Sequence, residues 1–211
     1  MTDDNWTRLH ETYKQQDWIT KPSMFAEVAI TYFPESGKLL ELGAGVGQDS
    51  LYFASHGYDV TATDLNTDKL NSNDELQVQG RSVEVRQVDL LQPLPFEDDS
   101  YDVVYAHLSL HYFDDATTQR IFADMYRVLK PGGIIAFFTN STSDPEYGTG
   151  KQIEPDYFEI DGVRKRYLDV DTAAQYAKAF ETLLIDNDGE TYKDAAIGVH
   201  NLIRYVGRKQ A

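Results

Sequence analysis

The stretch that most constrains the fold runs from Leu39 to Asp49. It reads Leu-Leu-Glu-Leu-Gly-Ala-Gly-Val-Gly-Gln-Asp. An apolar strand ends in an acid, glycines follow at alternate positions 43, 45 and 47, and a helix opens at Gln48. Glycine removes the Cβ atoms that would keep a ligand off the backbone at such a turn. The helix start behind it offers backbone N–H groups without intrahelical partners. A strand–turn–helix of this kind holds an extended, nucleotide-like molecule across the C-terminal edge of a parallel sheet.

The chain continues in the same rhythm. Strands are expected at 38–42, 58–63, 83–88, 101–106 and 133–139, with helices at 48–56, 66–79 and 116–129. Such alternation predicts right-handed βαβ crossovers and a mostly parallel sheet. In the last helix Ile121, Phe122, Met125, Val128 and Leu129 make one apolar stripe, read as core, and Lys130-Pro131-Gly132-Gly133 ends it. Residues 4–33 read as two helical segments broken near Lys21-Pro22. The polar, Tyr- and Pro-containing region 140–170 breaks the alternation and reads as a lid or insertion. A helix at 171–179 follows, then strands at 180–186 and 200–208, joined through Asp186-Asn187-Asp188-Gly189 and expected to form an antiparallel edge hairpin.

No repeat or linker divides the 211 residues, so a single domain (1–211) is expected, with 1–34 as a helical cap. The absence of cysteine removes disulfides, thiolate metal sites and a cysteine nucleophile, and suits a cytoplasmic setting. No run approaches the length of a membrane span. Acids outnumber bases 35 to 19, a net charge of −16, which argues against nucleic acid as partner. Arg164-Lys165-Arg166 is the dense basic triplet, either a solvated run or a site for a carboxylate or phosphate. Oligomeric state is not legible.

Four features fall at successive strand ends: the glycine turn, Asp64, Val88-Asp89-Leu90 and Ala106-His107-Leu108. A carboxylate at Asp64 can accept from the vicinal hydroxyls of a ribose, although by itself it could equally be a helix cap. An acid followed by a large apolar residue, as at Asp89-Leu90, can accept from an adenine amine while covering the ring; Asp89 could also cap a turn. In this order and at strand ends, the set points to a cofactor site rather than to four caps.

With these motifs in place, Lys38 to Thr139 resembles the class I S-adenosylmethionine-dependent methyltransferases. Glu41–Gly47 matches the first motif, Asp64 the ribose acid and Val88-Asp89-Leu90 the adenine motif. Arg127–Gly133 and Tyr105–Phe113 resemble the small-molecule branch, including enzymes of the tellurite-resistance and quinone-biosynthesis types. The resemblance implies a Rossmann-like α/β fold, with a seven-stranded sheet in order 3-2-1-4-5-7-6, strand 7 antiparallel, flanked by helices. It implies S-adenosyl-L-methionine as cofactor, held by Glu41, Gly43, Ala44, Gly45, Gly47, Asp64, Leu65, Asp89 and Leu90; Ala106 and His107, at the end of the fourth strand, are expected to line it. It also implies methyl transfer to a small-molecule acceptor, by in-line displacement; position on the loop after the fourth strand, before Asp114, makes His111 or Tyr112 the expected contact with that acceptor.

The base-modifying Asn/Asp-Pro-Pro-Tyr/Phe signature is absent after the fourth strand, where Ala106-His107-Leu108-Ser109 stands instead. His111 is a base, a substrate contact or a packing residue. The His107/His111 spacing has no third ligand nearby, so no metal is expected. Two alternatives stand beside this reading. One is a cofactor-binding regulatory protein without catalysis, protected from heat by the cofactor yet releasing no product. The other is a nicotinamide-dependent oxidoreductase, whose G-x-G-x-x-G spacing Gly45-Val46-Gly47-Gln48 does not match.

Overall fold

The computed structural model describes residues 21–77, 83–191 and 200–210. Its main sheet is built from β1 (Gly37–Leu42), β2 (Tyr58–Asp64), β3 (Val83–Gln87), β4 (Tyr101–His107), β5 (Leu129–Thr139), β9 (Phe180–Glu190) and β10 (His200–Lys209). These seven strands lie in the order β3-β2-β1-β4-β5-β10-β9. Pairings β3–β2, β2–β1, β1–β4 and β4–β5 are parallel, and β10 runs antiparallel to both β5 and β9. With β9 and β10 as the sixth and seventh main strands, this is the order and direction the sequence leads one to expect.

The central strands are apolar on both faces because helices cover both. β1 turns Leu40 and Leu42 to one side, where they join Val104, Ile135 and Phe137 under α4 (Asp115–Val128). Leu39 faces the other way, with Val103, Tyr105 and Phe138, beneath α1 (Met24–Ala29) and α2 (Gln48–Ser55). The stripe Ile121, Phe122, Met125 and Val128 is core, as read. Asp114 caps α4 by accepting from Thr117 N at 2.8 Å.

Several expectations shift. Helix 66–79 is instead a short α3 (Asp68–Asn71) followed by a 3-10 turn at Asp74–Gln77. Asn66 and Asn73 spend their side chains on the backbone N–H groups of Asp68 and Glu75, which competes with a continuous helix. β5 begins at Leu129 rather than 133, because the Pro-Gly-Gly segment runs on as an irregular strand with a register shift against β4. Asp186–Gly189 lies inside β9, where β10 pairs with register shifts, and is not the hairpin joint; residues 192–199 fall outside the described residues. So do the first N-terminal segment, with Trp6, Tyr13 and Trp18, and residues 78–82.

Region 140–170 is not a plain connection. β6 (Lys151–Glu154), β7 (Tyr157–Ile160) and β8 (Val163–Arg166) form a three-stranded antiparallel sheet, after which α5 (Val170–Tyr176) starts on the Asp169 cap. The β7–β8 joint is Asp161-Gly162, with φ +50° and +78°, a hairpin signal present in the sequence.

Candidate active site

The glycine turn leaves β1 with left-handed backbone at Gly43, Gly45 and Gly47, φ +78°, +61° and +86°. It is pinned to the neighbouring strand by Gly43 N and Ala44 N, which both donate to Thr63 O at 2.9 and 2.8 Å. Behind it, Ser109 Oγ donates to Leu42 O at 2.5 Å. Ser109 thereby closes against Gly43 so tightly that a Cβ on Gly43 would lie 2.3 Å from its Cβ.

Asp64, at the end of β2, accepts from Gly45 N at 2.9 Å and from Asn66 N at 3.1 Å. It is not the cap of α3, whose N-cap is Thr67. Burial raises its carboxyl above the usual range, against the hydrogen bonds from Gly45, Asn66 and Leu65 that favour the charged form. Asp89, half-buried beyond β3, accepts from Leu91 N at 2.9 Å. Leu65 stands 40% exposed and Leu90 half-buried. His107, at the end of β4, stacks on Phe138 at 5.0 Å. The next residue, Leu108, holds φ +51°, a costly conformation for a bulky side chain. The turn, Asp64, Asp89-Leu90 and Ala106-His107 thus come from strand ends that neighbour one another in the order β3-β2-β1-β4.

Glu41 lies beneath the turn, 2% exposed, accepting from Ser50 Oγ. Burial, with the Asp49 charge next in weight, pushes its carboxyl up to about 8, opposed by the Ser50 hydrogen bond. Asp49 accepts from Ser23 N (2.6 Å), Ser23 Oγ (2.8 Å) and Tyr105 OH (2.8 Å). Since Ser23 caps α1, this acid joins that helix to the first turn of α2. Asp49 closes the glycine motif, and Tyr105 and Ser109 fall in the segment Tyr105–Phe113, but no role was legible in sequence for them or for Ser50 and Ser23. Their one signal was Asp49-Ser50, polar residues at a helix start that the apolar pattern alone would have buried.

His111 and Tyr112 sit on the 3-10 turn Leu110–Tyr112. Their rings pack at 4.0 Å, but His111 is 4% exposed while Tyr112 is half-buried. His111 faces a small cavity shared with Thr118, Thr139 and Arg166. Arg166, from the basic triplet, is buried: it donates to Phe113 O (3.1 Å) and Glu154 Oε2 (2.5 Å), with its guanidinium 4.9 Å from the Tyr157 ring. Tyr157 OH donates to Tyr112 O at 3.0 Å. The small sheet is therefore buckled onto the loop after β4. Arg164 and Lys165 pair instead with Glu159 and Glu146. Among the described residues no group of three or more His, Asp or Glu is placed to hold a metal, and no helix is long and apolar enough to cross a membrane.

Residues 40–137 match the model of a methyltransferase domain family. An uncharacterized methyltransferase from Synechocystis is 36% identical over 104 residues, 47% of this chain and 45% of that protein. A malonyl-[acyl-carrier protein] O-methyltransferase from Pectobacterium atrosepticum is 32% identical over 102 residues, 48% of this chain and 38% of that protein. The chain thus spans less than half the length of these curated relatives. Among solved structures, the Burkholderia thailandensis 1,6-didemethyltoxoflavin-N1-methyltransferase, with 1,6-didemethyltoxoflavin and S-adenosylhomocysteine bound, superposes with a TM-score of 0.75 at 16% identity, over 99% of this chain and 85% of that one. Residues 40–137 are thus similar to a methyltransferase domain, carried on a fold shared with solved methyltransferase structures.

Proposed function

We propose that the protein transfers a methyl group from S-adenosylmethionine to a small-molecule acceptor by direct in-line displacement. The observation that carries this is the row of strand-end groups from β3 to β4, whose chemistry suits each part of that cofactor in turn. The fit rests on the left-handed glycine backbone at 43, 45 and 47, and on an exposed Leu65 and a half-buried Leu90 that offer apolar surface to a flat ring. When bound, the cofactor supplies an already activated methyl group.

The chain's own residues then bind and orient. Gly43, Ala44, Gly45 and Gly47 support the amino-acid end. Glu41 answers its ammonium, Asp64 its ribose hydroxyls and Asp89 its adenine amine, with Leu65 and Leu90 on the ring and Ala106 and His107 lining the far side. Tyr112 is the acceptor-facing residue with surface left for contact, and His111 packs against it.

The net charge of −16 disfavours a nucleic-acid acceptor, and the lack of cysteine agrees with a cytoplasmic setting. A relative named for O-methylation and a structural neighbour named for N1-methylation leave the acceptor atom to be found by screening. Calorimetry is the first test: S-adenosylmethionine or its demethylated product binds far more tightly than NAD. Asp64→Ala weakens that binding roughly tenfold to a hundredfold, the worth of a hydrogen bond to a charged group. Release of S-adenosylhomocysteine across O-, N-, S- and metalloid acceptors then identifies the substrate. A preference for NAD, or unchanged affinity in Asp64→Ala, refutes the reading.

A further inference from the structure

The segment Val88–Ser100 links β3 to β4 without regular secondary structure, although it begins with the acid and leucine assigned to the adenine end of the site. Prolines at 93 and 95 remove the N–H groups with which it could join a ladder. Its carbonyls still need donors, and two arginines on α4 supply them. Arg120 donates to Leu90 O (Nη2, 2.5 Å) and Gln92 O (Nη1, 2.9 Å). Arg127 donates to Leu94 O (Nη2, 2.8 Å) and Phe96 O (Nη1, 2.7 Å). Alternate carbonyls from 90 to 96 are thus taken by two guanidinium forks seven residues apart on one helix.

Asp124 lies between them, bonded to Arg120 (3.2 Å) and Arg127 (3.1 Å), and accepts from Leu94 N at 3.2 Å. The acid fixes both forks and leaves the remaining N–H groups aimed at the loop. The Arg120 half of this clamp grips the backbone beside Asp89, whose own carbonyl and carboxylate accept from Gln92 N and Leu91 N, both at 2.9 Å.

We propose that Arg120 is a positioning residue: through the carbonyls of Leu90 and Gln92 it holds the Asp89 carboxylate and the Leu90 side chain where they select an adenine base. This rests on the cofactor reading above. A guanidinium is suited to the task because one planar group spans two carbonyls at fixed separation, whereas an ammonium meets them only as a point charge.

The test is calorimetry on the full chain with two probes, S-adenosylhomocysteine and S-inosylhomocysteine, in which an oxo group replaces the adenine amine. The wild type should favour the adenine probe by roughly tenfold or more, the factor of one charge-assisted hydrogen bond. Arg120→Ala should narrow that ratio to about threefold or less, chiefly by weakening the adenine probe, and Arg120→Lys should fall between. Hydrogen exchange on the ligand-free chain should quicken at the Leu91 and Gln92 amides in Arg120→Ala. Arg204→Ala, which breaks the paired contact with Asp186 between β9 and β10, is the comparison for simple destabilisation and should leave the ratio unchanged. An unaltered ratio in Arg120→Ala, or equal narrowing in Arg204→Ala, overturns the proposal. Failure of the wild type to bind either probe overturns the cofactor reading instead. Equal binding of both probes by the wild type overturns the role of Asp89 and the proposal with it.

Discussion

Gly43→Ala tests the glycine turn most directly. The new Cβ would lie 2.3 Å from Ser109 Cβ and 3.0 Å from its Oγ, more than 1 Å inside ordinary contact for the closer pair. Ser109 has little room to retreat, because its Oγ is held on Leu42 O. Two costs add. A Cβ at φ +78° costs about 1–2 kcal/mol, and overpacking a close contact costs about 1–3 kcal/mol more. The sum, about 2–5 kcal/mol, is a large fraction of a domain's stability.

Urea unfolding of the ligand-free protein measures it, read as a change of midpoint at constant slope. Pairing the variant with Ser109→Gly separates the terms. Removing the hydroxymethyl abolishes the steric part and leaves the backbone part, so the double variant should recover about half of the loss, beyond the roughly 1 kcal/mol that the lost Ser109–Leu42 hydrogen bond costs alone. A loss below about 1 kcal/mol in Gly43→Ala, or strictly additive effects in the pair, would refute the steric account of this glycine.

Glu41 and Arg166 carry two further expectations. The Glu41 carboxyl ionises near 4.5 when unperturbed and near 8 in the folded protein, so the folded state keeps a proton that the unfolded chain releases. The stability this confers is complete below about 4.5, declines across the interval and is gone above about 8. Denaturant midpoints of the ligand-free protein should therefore fall more between pH 5 and 8 than those of Glu41→Gln. A bound ammonium favours the carboxylate, so cofactor binding below pH 8 should release a proton, seen as buffer-dependent binding heats that Glu41→Gln removes. Arg166→Met breaks a buried cation whose partner Glu154 is a third exposed, and should cost about 2–3 kcal/mol. It should also reduce acceptor turnover while cofactor affinity holds, because Arg166 grips the loop after β4 and not the glycine turn. Equal losses in both would place its effect on the fold as a whole.

What the sequence determined by itself is whatever local chemistry compels. Alternating apolar strands and amphipathic helices require a covered parallel sheet, and the three glycines at 43, 45 and 47 require a turn no other residue can make cheaply. The second and third strand ends were legible because Asp64 and Asp89 close alternating, valine-bearing strand patterns. The small sheet inside 140–170 was not legible: Asp161-Gly162 is a turn signal, but its flanking strands are too short and polar to announce a sheet.

The tertiary structure decided everything that depends on residues far apart in the chain. Ser23 meets Asp49 and Tyr105 across 26 and 82 positions, and Arg166 meets Phe113 across 53. Arg166 looked like one of three surface cations, yet it alone of the triplet is buried, because the small sheet folds it onto the loop after β4. His111 and Tyr112 are neighbours in sequence but not in exposure: a 3-10 turn directs one ring into the small cavity and leaves the other half at the surface. Periodicity reports which face of an element is apolar. Only packing determines which polar group on that face is sealed in, what it must then bond to, and so which residues hold the site in shape.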